Sequence, residues 1–397
     1  MDQIKESQLQ LLNYTQNSKI DDNNKYSIDN MIQELNKKPW TKGEYKKENW
    51  GNKLHSIAPY IGRIKPAFAH WLVKILSKPQ DVILDPFCGV GTIPLEADLL
   101  GRKSFGFDLN DYAVTISRAK FDRRTLSDNI SWLSKVELNK EAVKIDRIPN
   151  YVKQFYHPKT LLEILSLKDA IIKDRRDFLL GCLMGIAHGH RPQYLSAWTG
   201  YIIPFAPKTK PEYKPVIPRM IAKVKRTYKS QIPLETNATI KKCDARKRNL
   251  PDNSIDLIIS SPPYFDTIDY VASNKLRLAL LGIYNEESMT LKSNLIQKEI
   301  NYLDQMRVVG ERMVDVLKDG SLCVYILGDL HKGKKSRNTA IEISELYNTL
   351  GFETLAIIED EIPLARRVAN KWKGMTELGK VKPKMDRILV MKLNKKV

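Results

Sequence analysis

Residues 81–110 read DVILDPFCGVGTIPLEADLLGRKSFGFDLN, and this stretch decides the fold. The apolar run 82–85 has the length and composition of a short buried strand. A loop with two glycines follows at 86–92, then helical spacing over about 93–100. A second apolar strand covers 103–107, and another helix begins near Asp111. Strand, loop, helix and strand in that order imply a parallel sheet. Ligands of open α/β sheets bind beyond the carboxyl ends of the strands, which places a site at the loop. Gly89 and Gly91 let the backbone approach a ligand closely. A dinucleotide fingerprint wants a third glycine where Pro94 stands, and no G-K-[ST] follows, so neither NAD nor a P-loop is indicated. Asp108 ends the second strand, where one carboxylate can accept both hydroxyls of a ribose. Asp85 ends the first strand. The plainer duty for both is a turn or helix cap.

The same rhythm returns later in the chain. Strands are expected at 239–245, 255–264, 321–329, 353–360 and 386–393, with helices at 273–282, 303–318 and 339–351. Between the two blocks the pattern breaks. Segments 159–172 and 176–189 read as helices, 190–218 as a Pro- and aromatic-rich loop, and 219–230 as a basic helix. Upstream, residues 55–76 enter through a turn-rich stretch into an amphipathic helix with Phe68, Trp71, Leu72 and Ile75 on one face. The reading is a polar arm over 1–50, a catalytic α/β domain from 51–122 plus 236–397, and a largely helical insertion over 123–235.

The 65 Lys and Arg outnumber the 46 Asp and Glu, a formal charge of +19. That surplus suits a polyanionic partner such as nucleic acid, or a lysine-rich solvated surface. Cys88, Cys182, Cys243 and Cys323 lie far apart with no C-x-x-C, which suggests neither zinc nor a disulfide scaffold. His188 and His190 lack a third ligand, so no metal is expected. No apolar run approaches the ~20 residues of a membrane span, and the N-terminus has no apolar signal core. A cytoplasmic protein without a membrane partner is expected.

The second stretch that matters is SSPPY, Ser260 to Tyr264. It ends an apolar strand with two prolines, which have no N–H for a ladder and hold φ fixed. Taken with DPFCGVGT, it resembles the S-adenosylmethionine-dependent amino-methyltransferases of DNA, in particular their N4-cytosine group. The resemblance covers most of 55–122 and 236–392. It implies a class I, Rossmann-like sheet, S-adenosylmethionine as cofactor and double-stranded DNA as substrate. A restriction endonuclease is the partner it suggests. Lys65 and Pro66 look like the short upstream motif at the methionine end of the cofactor. Asp85, Pro86, Phe87, Gly89, Gly91 and Thr92 fall in the cofactor loop, with Phe87 near the methionine. Asp108 and Leu109 fall at the ribose, and Asp244 and Ala245 at the adenine. Unlike many N4-cytosine enzymes, this chain carries the glycine loop before SPPY.

The chemistry accounts for the residue types. The amine of cytosine is a poor nucleophile because its lone pair is delocalised into the ring. Two acceptors on its N–H groups, Ser261 Oγ and the Pro262 carbonyl, hold the nitrogen and favour a tetrahedral geometry. Pro262 and Pro263 preorganise that turn. Tyr264 offers a ring face to a base that has left the stack. Cytosine C5 chemistry needs a thiolate, usually in a Pro-Cys pair, and the chain has no such dipeptide. Adenine N6 and an RNA or tRNA base stay open as targets. In the insertion, Lys223, Lys225 and Arg226 are candidate phosphate contacts, and Arg191, Gln193 and Trp198 candidate base readers. A structural helical cap with a solvated charge run is the other reading.

Overall fold

The computed structural model describes residues 26–47, 49–189, 193–199, 204–229, 236–247, 250–263, 268–296, 299–328, 330–332, 335–362 and 384–395. Tyr264, Arg191 and the basic stretch near Arg366 lie outside them, as does the first half of the polar arm.

The strands are β1 (Val82–Asp85), β2 (Lys103–Asp108), β3 (Ala238–Lys242), β4 (Ile255–Ser260), β5 (Leu317–Gly328), β6 (Leu330–Lys332), β7 (Lys335–Arg337), β8 (Phe352–Ile362) and β9 (Lys384–Leu393). Seven form one sheet in the order β3-β2-β1-β4-β5-β9-β8, and β6 and β7 make a separate ribbon. β9 runs antiparallel to both its neighbours, while the pairs from β3 to β5 are parallel. This is a Rossmann-like, doubly wound α/β sheet with one antiparallel strand, of the class expected from the sequence. The order reverses between β1 and β4, so the chain leaves a crevice above their carboxyl ends.

Period-2 alternation fills both faces of the sheet. Ile83, Leu257, Ile259, Val324 and Ile388 join one apolar layer with helix Pro66–Leu76. Leu84, Ile258, Cys323, Tyr325 and Leu389 join the other, under helices Tyr302–Val316 and Thr339–Asn348. The face of helix Pro66–Leu76 differs from the expected one. Phe68 and Leu72 are buried, but so are Ala69, Val73 and Leu76, whereas Trp71 and Ile75 are half-buried. Trp71 instead meets Tyr45 edge-on at 5.2 Å between ring centroids.

The helices between β2 and β3 pack onto the rest of the protein through a third apolar cluster. Phe178, Cys182, Met220 and Val224 of the inserted helices share it with Tyr112, Ile116 and Ala119 of helix Asp111–Ala119. Gly181 shows how close that approach is, since a Cβ there would lie 2.3 Å from the Ala119 Cβ. Among the described residues no helix is long and apolar enough to cross a membrane.

Candidate active site

Three strand ends converge on one cleft. Asp85 closes β1, Asp108 closes β2, and Ser261 follows β4 directly. All three line one cleft together with Phe87, Gly89 and Thr92.

The loop after β1 is shaped by hydrogen bonds to these carboxylates. Asp85 Oδ1 accepts from Ser260 Oγ at 2.6 Å and from the Phe87 amide at 3.2 Å. One carboxylate thereby ties the end of β1 to the end of β4. Asp108 accepts from the Gly89 amide at 2.9 Å and the Asn110 amide at 2.8 Å. Gly91, at φ +69°, sits in the left-handed region and starts helix Thr92–Leu99. A Cβ there would lie 2.2 Å from Ser117 Oγ, so both conformation and space require glycine. Around Gly89 the nearest atom to an added Cβ is Tyr60 Cε1 at 3.8 Å, and the backbone is open to the cleft. Lys120 Nζ, fully buried, donates to the Gly91 carbonyl at 3.3 Å and fastens the loop from below.

Both carboxyls are desolvated. Burial pushes Asp85 up to about 7 against the pull of Ser260 and the Phe87 amide. Burial raises Asp108 to about 6, opposed by the amides of Asn110 and Gly89. Burial likewise raises the Cys88 thiol, and the neighbouring Asp85 and Asp108 add to the shift. A neutral thiol is no nucleophile, so Cys88 lines the cleft without offering covalent chemistry.

Ser261 Oγ donates to the Ile326 carbonyl of β5 at 3.2 Å. A hydroxyl has one proton, so towards any other group Ser261 can only accept. Pro262 is buried behind it and Pro263 lines the cleft.

Other expected positions fall differently. Lys65 and Pro66 do not line the cleft; Arg63 and Ile64 do. Lys65 precedes the helix that Pro66 opens at N1, and its Nζ donates to the Trp40 carbonyl at 3.3 Å. β3 ends at Lys242, earlier than expected, so Asp244 and Ala245 lie in the turn beyond it. Asp244 receives Arg246 in a bidentate pair, with Oδ1–Nε at 2.8 Å and Oδ2–Nη2 at 2.6 Å. That turn stays tied to the site, since the Cys243 amide donates to the Asp108 carbonyl at 3.0 Å. Leu109 is half-buried against the third apolar cluster.

Lys223 corrects an expectation. Its ammonium donates to the Ser56 carbonyl at 3.1 Å within the protein, and only 6% of the residue is exposed. Burial pulls its pKa down to about 8. The amphipathic turn of helix Val216–Thr227 puts position 223 inward with Met220 and Thr227, and leaves Lys225 and Arg226 exposed. Gln193 is also exposed, and Trp198 is 40% exposed with Lys208 Nζ 5.6 Å from its ring centroid.

Sequence reading missed Tyr60, Arg63 and Tyr270. Tyr60 and Tyr270 stack at 6.0 Å between centroids and line the cleft. The signal for Tyr60 and Arg63 was Gly62 between them. It adopts φ +80°, and a Cβ there would come within 2.9 Å of Ile268 Cδ1.

A buried polar cluster lies behind the loop helix. Glu96 accepts from His55 Nε2 at 2.6 Å and His70 Nδ1 at 2.9 Å. The two imidazoles hold Glu96 down to about 2 despite burial. Burial lowers His55 to about 4, so around neutral pH it is an uncharged donor to a charged carboxylate. Among the described residues no group of three or more His, Cys, Asp or Glu could hold a metal ion.

Comparison with known proteins gives partial matches. Residues 4–119 match the DNA methylase family model N6_N4_Mtase. This match supports an amino-methyltransferase. It covers the glycine loop and Asp108, while SPPY lies beyond it. The chain is 30% identical over 115 residues to a tRNA (guanine(10)-N2)-dimethyltransferase of Methanocaldococcus jannaschii, 28% of each chain. It is 30% identical over 70 residues to the Type II methyltransferase M.MjaII of the same organism, 18% of this chain and 13% of that one. With the Type II methyltransferase M.BsoBI of Geobacillus stearothermophilus it shares 25% over 303 residues, 61% of this chain and 56% of that one. The chain thus spans between about an eighth and a little over half of these proteins' lengths. Among solved structures, a SAM-dependent methyltransferase of Methanosarcina mazei aligns at TM-score 0.35 and 10% identity, over 82% of this chain and 98% of that one. S-adenosylmethionine is the cofactor that these matches imply, and the cleft has an open glycine backbone and two carboxylates at strand ends that suit it.

Proposed function

We propose that the protein methylates the exocyclic N4 amine of cytosine in duplex DNA, with the base flipped into the cleft, as the modification partner of a restriction endonuclease. The observation that carries this reading is Ser261. Its acceptor-only hydroxyl stands at the end of β4, in the same cleft as the two carboxyls that suit the cofactor. S-adenosylmethionine supplies an electrophilic methyl on a sulfonium. The chain's part is to hold and orient. Ser261 Oγ and the Pro262 carbonyl accept from the amine and favour an exposed lone pair on its nitrogen. Proximity supplies much of the rate. The proton can leave the nitrogen after transfer, so no strong base is required. The test is to incubate the protein with deuterated-methyl cofactor and duplex DNA, then identify the labelled nucleoside by mass spectrometry. N4-methylcytosine is expected, and label in N6-methyladenine instead would move the target to adenine.

The match to a tRNA dimethyltransferase favours a second reading, an RNA base N-methyltransferase. Guanine-N2 enzymes favour an acid before the Pro-Pro-aromatic motif, and this chain has Ser261 there. The same assay on tRNA separates the two.

Cofactor affinity is expected to weaken as pH falls through about 6, because protonating Asp108 removes its capacity as a double acceptor. Calorimetry should show Asp108→Ala weaker by about 1.5–3 kcal/mol at alkaline pH, with the pH dependence flattened. An unchanged affinity would remove the ribose role.

For DNA, Lys225→Ala with Arg226→Ala should lower affinity for all sequences alike. It should flatten the slope of log affinity against log salt by about 0.9 per lost contact. Changing Gln193 or Trp198 should instead weaken the cognate site selectively, with little change of slope. If neither pair alters DNA binding, the inserted helices are a structural cap.

A further inference from the structure

A base has to be both read and modified, and here the two tasks fall to separate elements. Gln193 and Trp198 stand exposed on the stretch beyond helix Asp177–Ala187, whereas Ser261 lies at the cleft. The stem of that stretch is pinned within the insertion. The amides of Leu195 and Ser196 donate to the carbonyls of Ile186 at 2.9 Å and Ala187 at 3.2 Å, and His188 Nδ1 pairs with Ser196 Oγ at 3.0 Å.

A bond from the cleft side completes the stem. Arg277 of helix Lys275–Leu280 donates through Nη2 to the His188 carbonyl at 2.6 Å. Arg277 is 1% exposed. It also faces Asn274 Oδ1 at 3.5 Å and the Tyr112 ring, with the guanidinium carbon 5.2 Å from the centroid. Its Nε is buried with no hydrogen-bond partner among the described residues. A buried charge whose partners are a carbonyl, an amide oxygen and a ring is costly, and packing alone would be served better by an apolar side chain. Its place at the C-terminal end of helix Asp177–Ala187 gives the charge a use, because the carbonyl end of a helix attracts a cation.

The neighbouring turn reaches the cleft. Tyr270 opens helix Tyr270–Ser273 and lines the cleft, and its carbonyl accepts from Asn274 Nδ2 at 3.0 Å. Tyr270 stacks on Tyr60, Tyr60 meets Tyr112 at 6.1 Å between centroids, and Arg277 covers Tyr112. Tyr270 and Arg277 therefore clasp two rings between them, with one end of the clasp in the cleft and the other at the stem.

We infer that Arg277 is a positioning residue for target choice, which sets the stretch bearing Gln193 and Trp198 in register with the cleft. This rests on the duplex-DNA reading above. Arg277 touches neither substrate nor cofactor. Without it the reading stretch shifts relative to Ser261, and a wrong sequence is methylated more nearly as fast as the right one.

The recognition sequence is first mapped by letting the unaltered protein methylate a pool of random duplexes. Single-turnover rates are then measured on that sequence and on versions with one base pair changed. For Arg277→Met the ratio of the two rates should fall about five- to a hundred-fold, the worth of one base pair of discrimination. Affinity for S-adenosylhomocysteine by calorimetry should stay within about two-fold. The slope of log DNA affinity against log salt should hold, since no phosphate contact is lost. Arg277→Lys should recover part of the ratio, because it keeps a cation at the helix end without the planar fork. Ser196→Ala loosens the same stem from the insertion side and removes no charge, so it should lower the ratio in the same direction even if Arg277→Met does not fold. An unchanged ratio in Arg277→Met, or in Ser196→Ala where Arg277→Met does not fold, would overturn the inference. So would a lower ratio accompanied by an equal loss of cofactor affinity, the mark of a merely structural role. If the unaltered protein methylates no duplex in the pool, the duplex-DNA reading itself fails, a result seen before any variant is made.

Discussion

Ser261→Ala is expected to slow single-turnover methyl transfer by about 100- to 1000-fold, the effect of removing one preorganised hydrogen-bonding group at a reacting centre, ~2.7–4 kcal/mol. Cofactor and DNA affinities should hardly move, because the lost interaction matters most once the amine nitrogen develops tetrahedral character. The fold should survive. The bond lost in the protein is one hydroxyl to the Ile326 carbonyl, worth about 1 kcal/mol. Rapid-quench measurement of labelled product on duplex DNA reads the rate directly. A variant within a few-fold of the unaltered protein would make Ser261 an ordinary strand-end residue and leave the proposed chemistry without its acceptor.

Glu96→Ala should produce the largest loss of stability at neutral pH, about 2–6 kcal/mol, the cost of leaving two buried imidazole donors without an acceptor at ~1–3 kcal/mol each. The carboxylate sits in the loop helix and is held by His55 on one side and His70 of helix Pro66–Leu76 on the other. Its removal leaves two buried imidazole N–H groups without their acceptor. The dependence on pH has a definite sign. Glu96 has its pKa depressed on folding, from an ordinary 4.5 to about 2. Its contribution is therefore complete above about 4.5 and is lost as pH falls through about 2. Urea unfolding of the unaltered protein and of Glu96→Ala should differ most near neutrality, and the gap should narrow in acid. An equal gap at about pH 7 and about pH 3 would contradict the charged cluster.

The sequence made the sheet legible where strands are short, apolar and followed by glycine or proline. β1, the glycine loop and β2 fall where Val82, Gly89 and Asp108 suggest, while the strand expected over 255–264 stops at Ser260, because Pro262 and Pro263 have no N–H for a ladder. Their signals are local, in chain punctuation and in a carboxylate at a strand end. What the sequence hid depends on distant contacts. Tyr60 and Arg63 reach the cleft because Gly62 lets the chain pass beside Tyr270, over 200 residues away. Lys223 reads as one more surface cation in a basic helix. Its helical phase and the carbonyl of Ser56 put it inside, and neither partner is near in sequence. Lys65 and Pro66 show the opposite balance of local and distant signals. Their local role, opening a helix, accounts for them, and the cleft is lined by the residues just before.

The pairing of β2 with β3 has a consequence for synthesis of the chain. Ser104 lies opposite Ala238, so about 130 residues of inserted helices separate the two partners. At ~5–20 residues per second, the ribosome needs roughly 7–26 s to supply β3 after β2 has emerged. For that interval β2 presents an open edge of backbone donors and acceptors to whatever is nearby. The inserted helices emerge during the wait, and they bury part of their apolar surface on Tyr112, Ile116 and Ala119, just beyond β2. The nascent chain can therefore close its helical half first and shelter the neighbourhood of the edge. The sheet is finished last, at a rate set by translation of the insertion as much as by the physics of strand pairing.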